Sequence, residues 1–154
     1  MSGSEHYRRV EVLDDDECRR LLAGAVLGRL AYTEGALPAI QPVHFALRDG
    51  RILIPTRVGS KVAGASRGAV VAFEVDEFDP RAETGWNVTV VGPAHVLSDP
   101  AEIADLEALG IRAWAPADVP CFITVELTLV RGRRIMAGTT DDAFAALAPG
   151  AVSE

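Results

Sequence analysis

The sequence predicts a mainly β protein with short helices, in which six antiparallel strands close into a barrel. Three observations lead to this prediction. Apolar and polar residues alternate in several short segments, most clearly in 121–130. The dipeptide Asp49-Gly50 is typical of a tight hairpin turn. The remaining segments also follow one another mostly in hairpin order, which favours an antiparallel barrel over a doubly wound parallel sheet.

Turn and capping residues define the elements along the chain. Acidic residues from Asp14 onward predict the start of a first helix, because they complement the helix dipole. Asp99, followed by Pro100 and Glu102, predicts the start of a later helix with a capping box. Gly92-Pro93 predicts a bulge, because proline lacks the amide hydrogen that strand pairing uses. The predicted strands are 26–33, 38–47, 51–55, 69–75, 85–96 and 121–130, and the predicted helices are 17–23, 61–66, 100–109 and one after Thr140.

A chain of 154 residues that is 49% apolar fits one domain with one sizeable core. We predict a flexible N-terminal arm over 1–12, the barrel domain over 13–138, and a C-terminal helix and tail over 139–154. No internal repeat or long linker suggests a second domain.

The formal charge of −7 disfavours nucleic acid and anionic membranes as partners. No signal-peptide pattern and no apolar run of membrane-spanning length occurs, so we expect a cytoplasmic protein. Cys18 and Cys121 are far apart and lie at no metal or redox spacing, so we expect buried, reduced thiols.

The usual catalytic motifs are absent from the sequence. The three histidines are scattered, so no metal site is predicted and the catalytic residues stay unassigned. Gly59-Ser60-Lys61 resembles the end of a P-loop, but Ile54 stands where the first glycine of that motif is required. No glycine fingerprint of a dinucleotide-binding fold follows a strand.

The segment Thr56–Lys61 contains two hydroxyls, two cations and a glycine between a strand and a helix. Ser60 can donate a hydrogen bond, Lys61 adds a point charge and Arg57 can bond two oxygens at once. Free amide groups at the helix start favour an anion, so this segment suits a phosphate. A solvated loop in which Ser60 is an ordinary helix cap explains the same residues.

Seven segments, in the same order and at similar spacing, resemble proteins of the pyridoxamine-5′-phosphate-oxidase-like family. The resemblance runs from about residue 14 to 136. The segments are 28–33, 38–45, 56–61, 72–76, 85–94, 114–116 and 132–135.

This resemblance implies a split β-barrel homodimer with two FMN sites at the subunit interface. It implies that Thr56, Ser60 and Lys61 hold the FMN phosphate, with Arg57 as a helper. Backbone groups of Ile40, Gln41, Pro42 and Val43 would line the isoalloxazine edge. Trp86 and Asn87 would lie beside the ring or the ribityl chain, unless Trp86 is a core residue. Trp114, Arg133 or Arg134 would reach the site from the partner chain.

The sequence departs from true pyridoxamine-5′-phosphate oxidases in three places. It lacks their basic residues around 38–43, their Arg-Lys pair at 59–61 and their C-terminal substrate-binding segment. Oxidation of vitamin B6 is therefore disfavoured, and the nitroreductase-like and actinobacterial branches fit better. Three functions stay open: an FMN-dependent oxidoreductase of a small molecule, an F420-dependent reductase, and a flavin-binding or sensor module without turnover.

Overall fold

Nine strands and three short helices make up the computed structural model, which describes residues 7–111 and 120–138. None of these three helices is long and apolar enough to cross a lipid bilayer. The helices are α1 (Asp15–Ala23), α2 (Lys61–Ser66) and α3 (Pro100–Ala108). The strands are β1 (Tyr7–Leu13), β2 (Leu27–Glu34), β3 (Leu37–His44), β4 (Ala46–Arg48), β5 (Arg51–Arg57), β6 (Val70–Asp79), β7 (Thr84–Leu97), β8 (Pro120–Glu126) and β9 (Leu129–Gly138).

All strand pairs are antiparallel, and the strand order is β3-β2-β6-β7-β8-β5-β4. Strand β9 pairs with β7, and β1 pairs with β9. The two ends of this order, β3 and β4, are separated in the chain only by Phe45, whose N–H donates to the carbonyl of Val26 at 3.2 Å. The sheet therefore returns on itself around a core. The predicted fold class, mainly antiparallel β with short helices in a split barrel, is confirmed.

Strand β7 connects the two parts of the barrel. One edge of β7 pairs with β6, whereas the other pairs with β9 over 85–91 and with β8 over 94–97. Gly92 lies where the partner changes, and a Cβ atom there would stand 2.0 Å from the carbonyl oxygen of Glu126. The irregularity predicted at Gly92-Pro93 is thus the position where β8 and β9 separate along β7.

The core is formed by the inward side chains of the sheet and by α1 and α2. The rings of Phe45 and Phe73 meet edge to face, with centroids 4.7 Å apart. Leu22 of α1 and Val62 of α2 are buried against these strands. The two thiols are free and buried as predicted, and burial raises the pKa of both Cys18 and Cys121.

The predicted flexible arm over 1–12 is wrong for residues 7–12, which belong to β1. Val10 and Val12 alternate with charged residues, a pattern that suits a strand, and β9 offers β1 an edge from Tyr7↔Gly138 to Leu13↔Gly132. Residues 1–6 and the C-terminal helix and tail predicted over 139–154 lie outside the described residues.

The predicted number of six strands is also wrong, because the described ranges contain nine. The segment 38–47 divides at Phe45 into β3 and β4. The chain beyond Glu126 turns away from β8 and forms β9 as a separate strand. The arm supplies the third additional strand as β1.

Replacing Gly92 with alanine should destabilise the fold by about 1–3 kcal/mol, because the new methyl group would press on a backbone carbonyl that two strands hold in place. Urea unfolding at unchanged m-value measures the effect. The matched control is Gly64→Ala in α2, where a Cβ atom meets nothing within 4 Å. This control should gain about 0.5–1 kcal/mol, and equal midpoints for the two variants would contradict the packing argument.

Candidate functional site

The loop between β5 and α2 brings two of the predicted phosphate ligands together. The hydroxyl oxygens of Thr56 and Ser60 lie 3.0 Å apart, and the Ala63 N–H donates to Ser60 Oγ at 3.2 Å. Ser60 is therefore a helix cap, as the simpler interpretation of the sequence required. In this cap the Ser60 hydroxyl oxygen accepts the hydrogen bond from Ala63. In the contact between the Thr56 and Ser60 hydroxyls, either one can be the donor.

Both cations of this loop are exposed. Arg57 ends β5, and Lys61 is the first residue of α2. Gly59, with φ +81°, turns the chain between them in the left-handed region that favours glycine. The loop therefore combines two hydroxyls, a helix start and two solvent-accessible positive charges, which is a composition that suits an anion.

Strand β3 carries the residues predicted to line the isoalloxazine edge. It stands at one end of the strand order and pairs with β2. Ile40 is 71% exposed, Gln41 and Pro42 are exposed, and Val43 is half-buried. Backbone groups along the second edge of such a strand can bond a planar heterocycle. The Tyr32 hydroxyl donates to Gln41 Oε1 at 3.5 Å, which holds that side chain against β2.

A cleft of about 390 Å³ contains the predicted residues Trp86 and Asn87. Its volume falls within the range of small-molecule sites. Trp86 also packs against the main core, so it serves both structure and cleft. The other residues that line the cleft combine apolar side chains with charge: Val10, Asp76, Glu77, Phe78, Gly85, Arg133 and Ile135.

A second cleft of about 210 Å³ contains Ile40, beside Arg29 and Glu74. The larger cleft is lined by β1, β6, β7 and β9 and the smaller by β2, β3, β6 and β7, whereas Thr56–Lys61 spans the end of β5, the following loop and the start of α2. One protomer therefore presents the predicted cofactor residues in three separate places. Trp114 lies outside the described residues.

The two arginines proposed to reach the site differ in their contacts. Arg134 donates to Glu17 Oε1 at 2.8 Å and ties β9 to α1. Hydrogen bonds from Arg20 and Arg134 lower the pKa of Glu17. Arg133 instead lines the larger cleft beside Asp76 and Asn87. Of this pair, Arg133 is thus the side chain that can meet a ligand in the cleft.

An acidic pair stands between the two clefts. Arg29 lies 3.0 Å from Asp76 Oδ2 and 3.7 Å from Glu74 Oε1. A hydrogen bond between the two carboxyl groups raises the pKa of Glu74 and lowers the pKa of Asp76. The positive charge of Arg29 opposes the rise at Glu74 and adds to the fall at Asp76. The sequence placed Arg29, Glu74 and Asp76 only in resembling segments and assigned none of them to the site. The β2–β6 register that joins them, Arg29↔Glu74, is a tertiary feature.

Antiparallel strands that close around a core through a shared long strand define a split-barrel protein. The sequence profile of the pyridoxamine 5′-phosphate oxidase family matches residues 14–134. The chain belongs to this family, and the family resemblance predicted from the sequence is confirmed.

Three relatives illustrate the similarity. An uncharacterised protein of Mycobacterium tuberculosis is 42% identical over 141 residues, which are 88% of this chain and 92% of that protein. The FAD-binding protein of Mycobacterium smegmatis is 31% identical, with a TM-score of 0.67 over 80% of this chain and 98% of its own. An FAD-binding protein of Mesorhizobium loti is 22% identical and shares the fold, with a TM-score of 0.70 over 84% of this chain and 98% of its own.

Replacing Arg29 with methionine should raise the pKa of both Asp76 and Glu74, because the cation favours the charged form of each. Carboxyl-carbon NMR titration measures both values. The variant should lose stability at neutral pH, and the difference should shrink as pH falls, first where Glu74 protonates at its raised pKa, above the ordinary 4.5, and then where Asp76 protonates at its lowered pKa, below the ordinary 3.8. Arg48→Met, on the β4–β5 turn, is the control, and an unshifted Asp76 titration would disprove the assignment.

Proposed function

We propose that this protein binds FMN and acts as a flavin-dependent oxidoreductase on a small molecule, as a homodimer whose interface completes the flavin site. The observation that carries the proposal is the Thr56–Lys61 loop. Its paired hydroxyls, 3.0 Å apart, and its two exposed cations form an anion site in a chain of the pyridoxamine 5′-phosphate oxidase family. The similarity to an FAD-binding protein at 31% identity supports a flavin as the ligand.

The loop fits the terminal phosphate of FMN in its donors and its charge. Lys61 is the single lysine of a chain in which lysine and arginine together number 15. Its ammonium group is a compact point charge with three donors, and it adjoins the start of α2. Arg57 adds a fork of donors, and the Thr56 hydroxyl can turn its hydrogen outward when Ser60 donates to it. These groups bind and orient the phosphate.

The ring of the flavin requires a planar apolar slot with backbone donors and acceptors at its edge. The open edge of β3, residues 40–43, supplies such backbone groups. The cleft that holds Trp86 and Asn87 supplies an aromatic wall and an amide. When bound, the flavin supplies hydride and electron transfer, and the protein supplies binding, orientation and exclusion of water.

The separation of these parts in one protomer supports a shared site. The loop Thr56–Lys61 lines neither cleft, although the family resemblance assigns both to the same cofactor. A two-fold dimer resolves this separation, because each protomer can then supply residues that the other protomer's site lacks. We propose that arrangement for both flavins.

Three alternatives differ from this proposal in cofactor or in turnover. F420 could occupy the same fold as a hydride carrier, and FAD could take the place of FMN, which the similarity to the FAD-binding protein of Mycobacterium smegmatis supports. A flavin-binding module without turnover is also compatible with these residues. The buried free thiols of Cys18 and Cys121 support our proposal of a cytoplasmic location, where thiols stay reduced.

Parallel titrations with FMN, FAD and F420 test the cofactor. We expect FMN to bind most tightly, with one flavin for each chain and a resolved visible spectrum. Addition of NADPH, NADH or reduced F420 then tests whether the bound flavin is reduced. A protein that binds none of the three cofactors would refute the proposal, and a bound flavin that no donor reduces would favour the binding module.

Lys61→Met should weaken FMN binding about 10- to 100-fold, as expected for a lost charge-assisted contact of about 1.5–3 kcal/mol. Riboflavin, which lacks the phosphate, should bind the variant and the wild type equally. Lys61→Arg should restore part of the affinity. Arg67→Met, next to the last residue of α2, removes a cation of the same region and should leave FMN binding unchanged. Equal losses for FMN and riboflavin would show that Lys61 does not hold the phosphate.

A further inference from the structure

The outer face of the sheet carries an unusual distribution of charge. We define this face as the side chains of β1, β9, β7, β6 and β2 that point away from the core. On β6, Val71, Phe73 and Val75 are buried, so the residues between them point outward. Glu74 and Asp76 are therefore on the outer face, with side chains 38% and 45% exposed.

Two arginines stand at matching positions on the other side of β7. Thr89 of β7 is the cross-strand partner of both Glu74 and Arg131, and Asn87 is the cross-strand partner of both Asp76 and Arg133. Each acid on β6 thus has an arginine at the same height on β9. Within one chain each such pair is separated by two strand spacings, about 10 Å. The acidic and basic residues are mirror positions about β7.

Apolar residues continue this symmetry above and below the charges. Val91 of β7 is the cross-strand partner of both Ala72 on β6 and Leu129 on β9. Gly85 of β7 is likewise the cross-strand partner of both Phe78 and Ile135. Phe78 is 57% exposed and Leu129 is 42% exposed. Beyond them, Val10 and Val12 of β1 are 59% and 79% exposed. Large apolar side chains gathered on one sheet face usually mark a contact with another protein surface.

We propose that a second copy of this chain packs face to face on the outer face, with the two-fold axis running along β7. A rotation about that axis exchanges the two sides of β7 and keeps the height along it. Glu74 then meets the partner's Arg131, and Asp76 meets the partner's Arg133. By the same operation Phe78 packs on the partner's Ile135, and Ala72 on the partner's Leu129.

The direction of the axis follows from the charges. A two-fold axis across the strands would place β6 over β6 and bring Glu74 and Asp76 against their own copies, which like-charge repulsion disfavours. The axis along β7 instead pairs every acid with an arginine. Two packed sheets lie about 10 Å apart, a distance that a carboxylate and an arginine side chain together span. Within the chain, Arg29 already forms ion pairs with Glu74 and Asp76. In the dimer the two carboxylates therefore lie between Arg29 of their own chain and the arginines of the partner, which offsets part of the cost of burying their charge.

This inference rests on the homodimer of the proposed function and adds the face, the axis and the residue pairs. It also brings both clefts to the interface, because the larger one contains Asp76 and Arg133 and the smaller one contains Glu74. The surface that joins the protomers is then the surface that holds the Trp86–Asn87 cleft.

A reciprocal charge reversal on the full chain tests the proposal. One variant carries Glu74→Arg and Asp76→Arg, and the other carries Arg131→Glu and Arg133→Glu. Each alone should raise the dimer dissociation constant at least 10-fold, because every pair becomes repulsive. An equimolar mixture should form a heterodimer, because every pair is then attractive. Sedimentation velocity and native mass spectrometry measure both results.

The controls separate the interface from folding. Asp105→Arg with Glu107→Arg, on the exposed side of α3, changes the net charge by the same amount as Glu74→Arg with Asp76→Arg. This control should leave the dimer intact. Circular dichroism reports folding. If a reversed variant does not fold, Glu74→Gln with Asp76→Asn removes the charges without reversing them and should weaken the dimer to a smaller extent.

Three results would overturn the inference: a monomeric wild type, folded reversed variants that dimerise as tightly as the wild type, or a mixture that stays monomeric. The FMN titration of the wild type is independent of these. A wild-type dimer that obeys the charge rule but binds no flavin would refute the proposed function alone. A flavin-binding dimer indifferent to the reversals would refute the interface alone.

Discussion

The close passage of the Glu126 carbonyl over Gly92 is the constraint on which the rest of this structure depends. At that point β7 changes its partner from β9 to β8, so a single strand belongs to both parts of the barrel. Any side chain at Gly92 would separate β7 from the end of β8. Because the barrel closes through β8, β5 and β4, such a shift would strain this closure and lower the stability of the fold.

The register of β6 and β9 along β7 determines what the outer face offers. Because side chains alternate along a strand, a shift of one residue between β6 and β7 would exchange buried Phe73 and Val75 for Glu74 and Asp76. The same core that excludes water therefore fixes the charges at the clefts. Arg29 meets Glu74 only because β2 pairs with β6 at Arg29↔Glu74. Core packing and candidate site are consequences of one set of strand pairings.

The sequence predicted the features that depend on neighbouring residues. The Asp-Gly turn is present, with Asp49 and Gly50 at φ 51° and 69° between β4 and β5, and the three short helices lie where caps and periodicity predicted them. It failed where distant pairing decides. β1 is a strand because β9 offers an edge, and the arginine beside Glu74 comes from a strand 45 residues earlier. The Thr56–Ser60 contact was within reach of sequence reasoning because both residues belong to one loop.

The candidate site divides its tasks in a way that follows from its residues. The loop Thr56–Lys61 contains hydroxyls bonded to each other and cations that face water, with no carboxylate among its six residues, so it suits a fixed anion rather than proton transfer. The acids lie elsewhere, on β6 beside Arg29 and Arg133. The anion-binding loop and the charged cleft are therefore separate features of one chain, because different strand pairings position them.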